Sequence, residues 1–262
     1  MQFLRALGHG VVTKWLEVRY TVAVAVSVVG AACLPRHWRR TVRNVLARQI
    51  LFTGYQATKF VSTVALLVGV SVVVQAQVWT AALGQSSLLG PVLVMVIIRE
   101  VGPLLTNFIV IARSGTAMAT ELASMRVMGE THVLDAQGVD PFIYLVMPRA
   151  IGAAISIFCL SVIFIGVSMI GGFLSGILLG ANTGGPWMFL DSVFAAIAPA
   201  DVFNLLAKTL IPGLLMGTIC SIQGLSISGV ATEVPQAATR AVVKSIMAMF
   251  VTSALVSLLT YL

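Results

Sequence analysis

The sequence contains few charged residues for its length. Of its 262 residues, 16 are Lys or Arg and 9 are Asp or Glu, so charged residues make up only 10%. A soluble domain usually carries about 25% charged residues, and a chain this poor in charge cannot cover a water-facing surface. Hydrophobic residues reach 58%, which also excludes intrinsic disorder. We therefore predict an all-α integral membrane protein rather than a soluble enzyme.

The sequence also lacks the motifs of several enzyme classes. It has no phosphate-binding loop, no dinucleotide fingerprint, no HExxH metal motif and no recognisable Ser/His/Asp set. Its three cysteines, Cys33, Cys159 and Cys220, lack the CxxC spacing of metal or redox sites and are interpreted as small buried apolar residues. No cofactor or metal is therefore expected in this chain, and any ATP and Mg²⁺ would be bound by a partner chain.

The basic residues are concentrated near the start of the chain. Nine of the sixteen precede residue 60, a distribution typical of membrane topology rather than of nucleic-acid binding. Between Trp38 and Leu51, apolar residues recur at helical spacing among arginines, which predicts a basic amphipathic helix on an anionic membrane surface or else a solvated helix face. Residues 1–55 are thus predicted to form interfacial N-terminal helices. The apolar stretch 20–34 resembles a signal peptide ending near Cys33, but Glu17 interrupts the long preceding region and favours a segment that stays attached.

Uncharged stretches after residue 55 predict a membrane domain, residues 56–262, with five transmembrane helices. The predicted spans are 56–78, 87–112, a third beginning near Tyr144, 203–224 and 241–262. The third stretch is uncharged between Arg149 and Asp191, which is too long for one upright helix. It must tilt, kink near Gly171-Gly172, continue past the bilayer or form two spans. With the N-terminus in the cytoplasm and the C-terminus in the periplasm, the loops that carry Lys and Arg all lie inside, as the positive-inside rule requires.

Three charged residues fall inside predicted spans. Arg99 and Glu100 lie in span 2 and Lys208 lies in span 4, where a charge is costly and usually faces a bundle interior or a wet cavity. Gly102-Pro103 marks a helix break, because Pro103 has no N–H to donate to the carbonyl of Arg99. The three charges are predicted to contact a ligand, or else to pair with neighbouring helices. Lys208 could contact Glu100 or a ligand, or its side chain could extend outward to the membrane surface.

Two further patterns predict helix contacts. In span 3, Gly172, Gly176 and Gly180 are spaced GxxxGxxxG, which allows another helix to approach closely, although glycines are also tolerated on a lipid-facing surface. The cytoplasmic loop between spans 2 and 3 predicts a short helix over about 114–128, with Ser114 as its cap and Gly129 at its end.

The central block of the sequence resembles the MlaE family, the permease subunits of ABC lipid transporters that work with MCE-domain proteins. The resemblance covers roughly residues 15–262. It rests on the run from Arg99 to Leu104, on Ala112 to Gly115, and on the motifs that follow. These motifs are Glu121-Leu122, Met125-Arg126, Gly138 to Pro141, Pro148-Arg149 and Ala238 to Val243.

The resemblance implies an interfacial N-terminal helix and five spans, a homodimer with a lipid cavity between its subunits, and two cytoplasmic ATPases that bind ATP and Mg²⁺. It also implies a phospholipid substrate, a periplasmic MCE-domain partner, location in the inner membrane of a Gram-negative-type bacterium, and a role in outer-membrane lipid asymmetry. Arg99, Glu100 and Lys208 match charged positions of the family's cavity. The 114–128 helix matches its ATPase-coupling helix, with the candidate residues Arg113, Ser114, Gly115, Glu121, Met125 and Arg126. Some members carry an acidic residue in the last span, where this chain is neutral around Thr252 and Ser253.

Two other functions fit the same residues. A secondary transporter or channel could use Arg99, Glu100 and Lys208 to handle ions, and it would move its substrate without an ATPase. A membrane-embedded scaffold would bind no substrate at all. An adjacent gene that encodes an ATPase with a phosphate-binding loop would favour the ABC permease over both of these alternatives.

Overall fold

The computed structural model is helical throughout the residues it describes, which are 2–82, 84, 89–178 and 186–261. Three wider π-helical turns, Leu51–Tyr55, Val94–Val101 and Ile111–Gly115, join successive described helices into longer rods, and another, Phe142–Val146, leads directly into the helix that begins at Met147. The α-helices are α1 Gln2–Ala32, α2 Arg40–Ile50, α3 Gln56–Ala82, α4 Leu89–Leu93, α5 Gly102–Val110, α6 Thr116–Val127, α7 Glu130–Ala136, α8 Met147–Leu178, α9 Pro186–Ala196, α10 Pro199–Leu225 and α11 Val234–Tyr261.

Six helical segments in the described part of the chain are long and apolar enough to cross a membrane. Five of them coincide with the five predicted spans over the described residues, and the predicted positions 87–88 and 262 lie outside those residues. The five are Arg40–Thr80, Leu89–Val127, Phe142–Leu178, Pro199–Leu225 and Ala231–Tyr261. The sixth, Trp15–Ala32, belongs to the N-terminal region, and by length and composition it too could span a bilayer. The interfacial position of this region therefore stays a prediction.

The predicted third span resolves into one long helix followed by a short one. α8 continues through Gly171-Gly172 without a break as far as Leu178. A separate helix, α9, begins at Pro186 and carries Asp191. The inner face of α9 packs on α4, and Phe189 and Val193 share an apolar cluster with Leu93, Val94 and Ile97.

α8 lies at the centre of the bundle, between α3 and α10. Small residues allow both contacts: a Cβ added to Gly213 would lie 2.7 Å from the Cα of Ala154 on α8. Gly172 and Gly176 face α3, where an added methyl group would overlap Val73 and Gln77. Gly180 lies outside the described residues.

The N-terminal helices pack onto the same bundle. Val28 of α1 and Val42 of α2 are buried with Met147 and Ala150 of α8. At the corner between α1 and α2, the indole N–H of Trp38 donates to the carbonyl of Ala32 at 2.7 Å. One part of the sequence interpretation is wrong: of the three cysteines only Cys220 is buried, whereas Cys33, in the turn after α1, and Cys159 on α8 are exposed.

Candidate functional site

Two ion pairs join span 2 to α10. The wide turn Val94–Val101 presents Arg99 and Glu100, and α10 presents Asp201 and Lys208, which lie seven residues apart and therefore on one face. The Arg99 Nε lies 2.7 Å from Asp201 Oδ1, and Lys208 Nζ lies 2.6 Å from Glu100 Oε1. Arg99 and Glu100 thus each pair with α10 rather than with each other.

Two prolines leave backbone carbonyls without helical donors beside these ion pairs. Pro103 leaves the carbonyl of Arg99 without its helical donor, and the Lys208 ammonium donates to that carbonyl at 2.9 Å. Pro212, inside α10, leaves the carbonyl of Lys208 free in the same way, and Asn107 Nδ2 donates to it at 3.0 Å. Each freed carbonyl therefore accepts a hydrogen bond from the other helix, which ties span 2 and α10 together.

The end of α11 completes the polar cluster. The hydroxyl of Ser257 donates to Glu100 Oε1 at 2.9 Å, and the hydroxyl of Tyr261 donates to Asp201 Oδ1 at 2.9 Å. The guanidinium carbon of Arg99 lies 4.6 Å from the centre of the Tyr261 ring, within the range of a cation–π contact. Three spans thus converge on the four charges.

The two ion pairs share a pattern of burial. The side chains on α10 are almost inaccessible, with Asp201 0% and Lys208 1% exposed, whereas those on span 2 remain open, with Arg99 29% and Glu100 44% exposed. A buried charge needs a partner of opposite sign, so the α10 residues hold Arg99 and Glu100 in place. The accessible parts of Arg99 and Glu100 form an adjacent positive and negative surface that a polar group could contact.

Several buried polar atoms beside the pairs have no hydrogen-bond partner within the described residues. Asn204, which lies between Asp201 and Lys208 along α10, leaves both its amide nitrogen and its oxygen without one. The Thr106 hydroxyl and the side-chain amide oxygen of Asn107 also have no hydrogen-bond partner there. Buried polar atoms are normally satisfied, so the cluster has spare hydrogen-bonding capacity for water or a polar ligand.

The sequence identified half of this cluster. Arg99, Glu100 and Lys208 were predicted, and Lys208 contacts Glu100. The break predicted at Gly102-Pro103 is not an interruption of the helix, because these two residues begin α5 directly after the wide turn. Asp201, Ser257 and Tyr261 were missed, because an acidic residue in the first turn of a helix is ordinary and Ser and Tyr near a helix end carry no signal. The seven-residue spacing of Asp201 and Lys208 was the one available clue, because it puts both charges on one helix face.

The predicted coupling helix corresponds to α6, Thr116–Val127. Ser114 does not cap a separate helix: it lies buried in the wide turn that continues span 2 into α6. The helix ends at Val127, and two residues later Gly129 turns the chain with a left-handed φ of 76°, as glycine at this position allows.

The candidate coupling residues lie in different environments. Gly115 is buried against Met216 and Cys220 of α10, so like Ser114 it faces the bundle. Arg113 donates to the carbonyl of Phe52 at 3.2 Å. The remaining three lie on α6. Met125 and Arg126 are half-buried, Arg126 donates to the Thr131 hydroxyl at 3.3 Å, and Glu121 is exposed.

Glu121 forms an ion pair within the chain. Its carboxylate lies 2.7 Å from the buried guanidinium of Arg149 at the start of α8, and Arg149 also donates to the carbonyl of Leu145. α6 is therefore fixed to α8 by a charged contact.

This helical architecture, with a short helix in the connection between spans 2 and 3 and charges paired inside the bundle, is that of a multi-pass membrane protein. A family model described as "Permease MlaE" matches residues 46–259, and the chain belongs to this family.

Curated relatives agree with that assignment. A probable ABC transporter permease protein of Rickettsia prowazekii is 31% identical over 215 residues, which are 82% of each chain. One from Synechocystis is 32% identical over 220 residues, 84% of this chain and 82% of the relative. The chloroplastic protein TRIGALACTOSYLDIACYLGLYCEROL 1 of Arabidopsis thaliana is 28% identical over 247 residues, 91% of this chain and 68% of the relative. The protein is therefore a permease subunit of an ABC transporter, a type of transporter that includes ATPase subunits.

Proposed function

We propose that this permease moves phospholipids between the inner membrane of a Gram-negative-type bacterium and a periplasmic MCE-domain partner. In this proposal two copies of the chain enclose the lipid path, and two cytoplasmic ATPases supply the energy by hydrolysing ATP with Mg²⁺. The observation that carries the proposal is that Arg99 and Glu100, two adjacent charges of opposite sign inside a predicted span, remain partly exposed while their partners on α10 are buried. The name of the Arabidopsis relative, which contains that of a galactolipid, is consistent with a lipid substrate.

The chemistry of the site fits a lipid headgroup better than a free ion. A phospholipid presents a phosphate anion, in many cases an ammonium group a few atoms away, and long apolar tails. Arg99 would attract the phosphate, while Glu100 would accept an ammonium group or balance the site when it is absent. Asp201 and Lys208, which are buried behind them, hold both side chains in position and are not themselves accessible to the lipid.

Site-specific photo-crosslinking tests the proposal. A photoreactive residue at Val96, one turn from Arg99 and partly exposed, should crosslink labelled phospholipid, and Arg99→Ala should reduce the yield several-fold. The control places the same probe at Phe250, which is exposed on α11, where bulk lipid reacts regardless of Arg99. Equal yields with and without Arg99 would show that the site does not hold lipid.

The transport assay distinguishes the remaining alternatives. In vesicles that contain the permease, its ATPase and the MCE-domain partner, Arg99→Ala should slow ATP-dependent transfer of labelled phospholipid at least tenfold while the complex remains assembled. Normal lipid transfer by Arg99→Ala, or ion flux through the permease without an ATPase, would contradict the proposal.

A further inference from the structure

A second site with chemistry suited to a lipid lies on α2. Trp38, Arg43, Leu46, Ala47 and Ile50 line a groove of about 370 Å³, which we call the α2 groove. Its four helical residues share one face, because Leu46 and Ala47 each lie three or four residues from both Arg43 and Ile50. Trp38 is fixed by its hydrogen bond to Ala32. The groove is thus apolar along its length, and Arg43 is its only charged lining residue.

The arginines around the groove have no acidic partner. Arg36, Arg39, Arg40, Arg43 and Arg48 lie within thirteen residues of sequence, and no Asp or Glu occurs between residues 18 and 99. All nine acidic residues lie in the part of the chain that the structure describes, and the ion pairs found there involve Arg99, Arg149, Lys208 and Lys244. This basic segment is therefore free to bind an anionic partner from outside the chain.

The groove and the charges together select an anionic phospholipid. An acidic protein surface would satisfy the arginines but has no need of an apolar groove, whereas a phospholipid has both an anionic phosphate and an acyl chain. α2 also continues through the wide turn Leu51–Tyr55 into α3. Leu51 in this turn and Phe60 on α3 are both exposed apolar residues. An acyl chain that lies in the groove would thus continue onto an apolar helix surface in the bilayer.

The α2 groove is separate from the charge cluster. Val42, on the inner face of α2, packs in the same cluster as Leu225 at the end of α10, whereas Asp201 is in the first turn of that helix. The 24 residues between them correspond to about 36 Å along a helix axis. A lipid in the groove would be bound far from Arg99.

We propose that the α2 groove binds one anionic phospholipid of the cytoplasmic leaflet as a resident lipid, with its phosphate at Arg43 and an acyl chain against Trp38, Leu46 and Ile50. This lipid is not the transported substrate. It anchors the N-terminal helices to the membrane surface, and its binding does not depend on Arg99.

Native mass spectrometry of the full-length protein, extracted from vesicles of phosphatidylcholine with one-fifth phosphatidylglycerol, tests this site. Arg43→Gln should reduce the retained phosphatidylglycerol about fivefold, which is the effect of one basic side chain at an anionic surface. Arg36→Gln removes the same charge outside the groove and should change retention by less than twofold. An equal loss of phosphatidylglycerol in both variants would show that the arginines attract lipid only through their total charge, which would overturn the proposal.

A second variant tests the apolar half of the groove. Ala47→Trp fills the groove and leaves every arginine in place, so it should also lower phosphatidylglycerol retention, whereas pure charge attraction would be unaffected. The loss caused by Arg43→Gln should be the same size in an Arg99→Ala background, which separates this site from the proposed transport site. Unaltered lipid retention in Arg43→Gln, together with loss of the ATPase or of a second copy from the complex, would assign the groove to a protein partner and overturn the proposal.

Discussion

At the scale of single residues, each ion pair combines a buried charge with a partly exposed one. The buried members, Asp201 and Lys208, depend on their partners, because a charge buried without a partner is strongly unfavourable. The open members, Arg99 and Glu100, keep part of their hydration when they are alone. Substituting the two members of one pair should therefore have unequal effects.

The Glu100–Lys208 pair allows this asymmetry to be measured. Glu100→Gln leaves the ammonium of Lys208 buried without a counter-charge, and we expect a loss of about 3 kcal/mol in the free energy of unfolding. Lys208→Met leaves an exposed carboxylate and should cost about 1 kcal/mol. Unfolding in detergent micelles measures both, and the double variant should be more stable than Glu100→Gln alone. A larger cost for Lys208→Met would contradict the burial pattern.

The residues of the site differ in how well the sequence predicts them. A charge within an apolar run is conspicuous because its cost is local, and so Arg99, Glu100 and Lys208 could be identified. Pro103 was informative for the same reason, because the missing N–H is a property of the residue itself, and the carbonyl it frees accepts a hydrogen bond. The partners Asp201, Ser257 and Tyr261 come from segments far from Arg99 and Glu100 in the sequence. Contacts between such distant segments leave no local pattern in a single sequence.

At the scale of helices, the spans were predictable from their length and apolar composition, but the wide turns were not. A π-helical turn inserts one extra residue into a helix without changing its apolar composition, so a hydropathy pattern does not reveal it. The turn at Val94–Val101 determines which way Arg99 and Glu100 face. The junction at Ser114 was misjudged for the same reason, because a capping residue and a continuous wide turn have the same sequence signature.

Close packing between α8 and α3 predicts contrasting effects for two glycines of one helix. Gly172→Ala should lower the free energy of unfolding by about 1–3 kcal/mol, because the methyl group meets Val73. Gly166 has no atom within 4 Å of a built Cβ, so Gly166→Ala should be neutral or stabilising by up to about 1 kcal/mol. Thermal unfolding of the two variants compares them directly. Equal destabilisation would exclude the close approach of α3.

The ion pair between α6 and α8 predicts a positioning role for Glu121. Glu121→Lys places a second positive charge beside Arg149 and should reduce co-purification of the ATPase several-fold, because α6 loses its fixed position. The exchange Glu121→Lys with Arg149→Glu restores opposite charges and should recover assembly. If the exchanged variant remains unable to bind the ATPase, Glu121 contacts the ATPase directly instead.

At the scale of the whole molecule, the N-terminal helices are tied to the membrane domain. α1 contributes Val28 to an apolar cluster with α2 and α8, and Glu17 of α1 pairs with Lys244 of α11 at 2.9 Å. We expect the purified protein to retain residues 1–55, so that its intact mass accounts for all 262 residues. A mass corresponding to cleavage near Cys33, or a lipid adduct on Cys33, would contradict this.

The linked carbonyls and charges of span 2, α10 and α11 have a further consequence for motion. Separating α10 from span 2 would break two ion pairs and two hydrogen bonds at once. The hydrocarbon of the bilayer offers these groups no other hydrogen-bonding or charged partner. The three helices must then travel as one rigid body through a transport cycle. Opening and closing would occur at the edges of this body, by a hinge against the remaining helices or, in the proposed dimer, by sliding of one copy over the other.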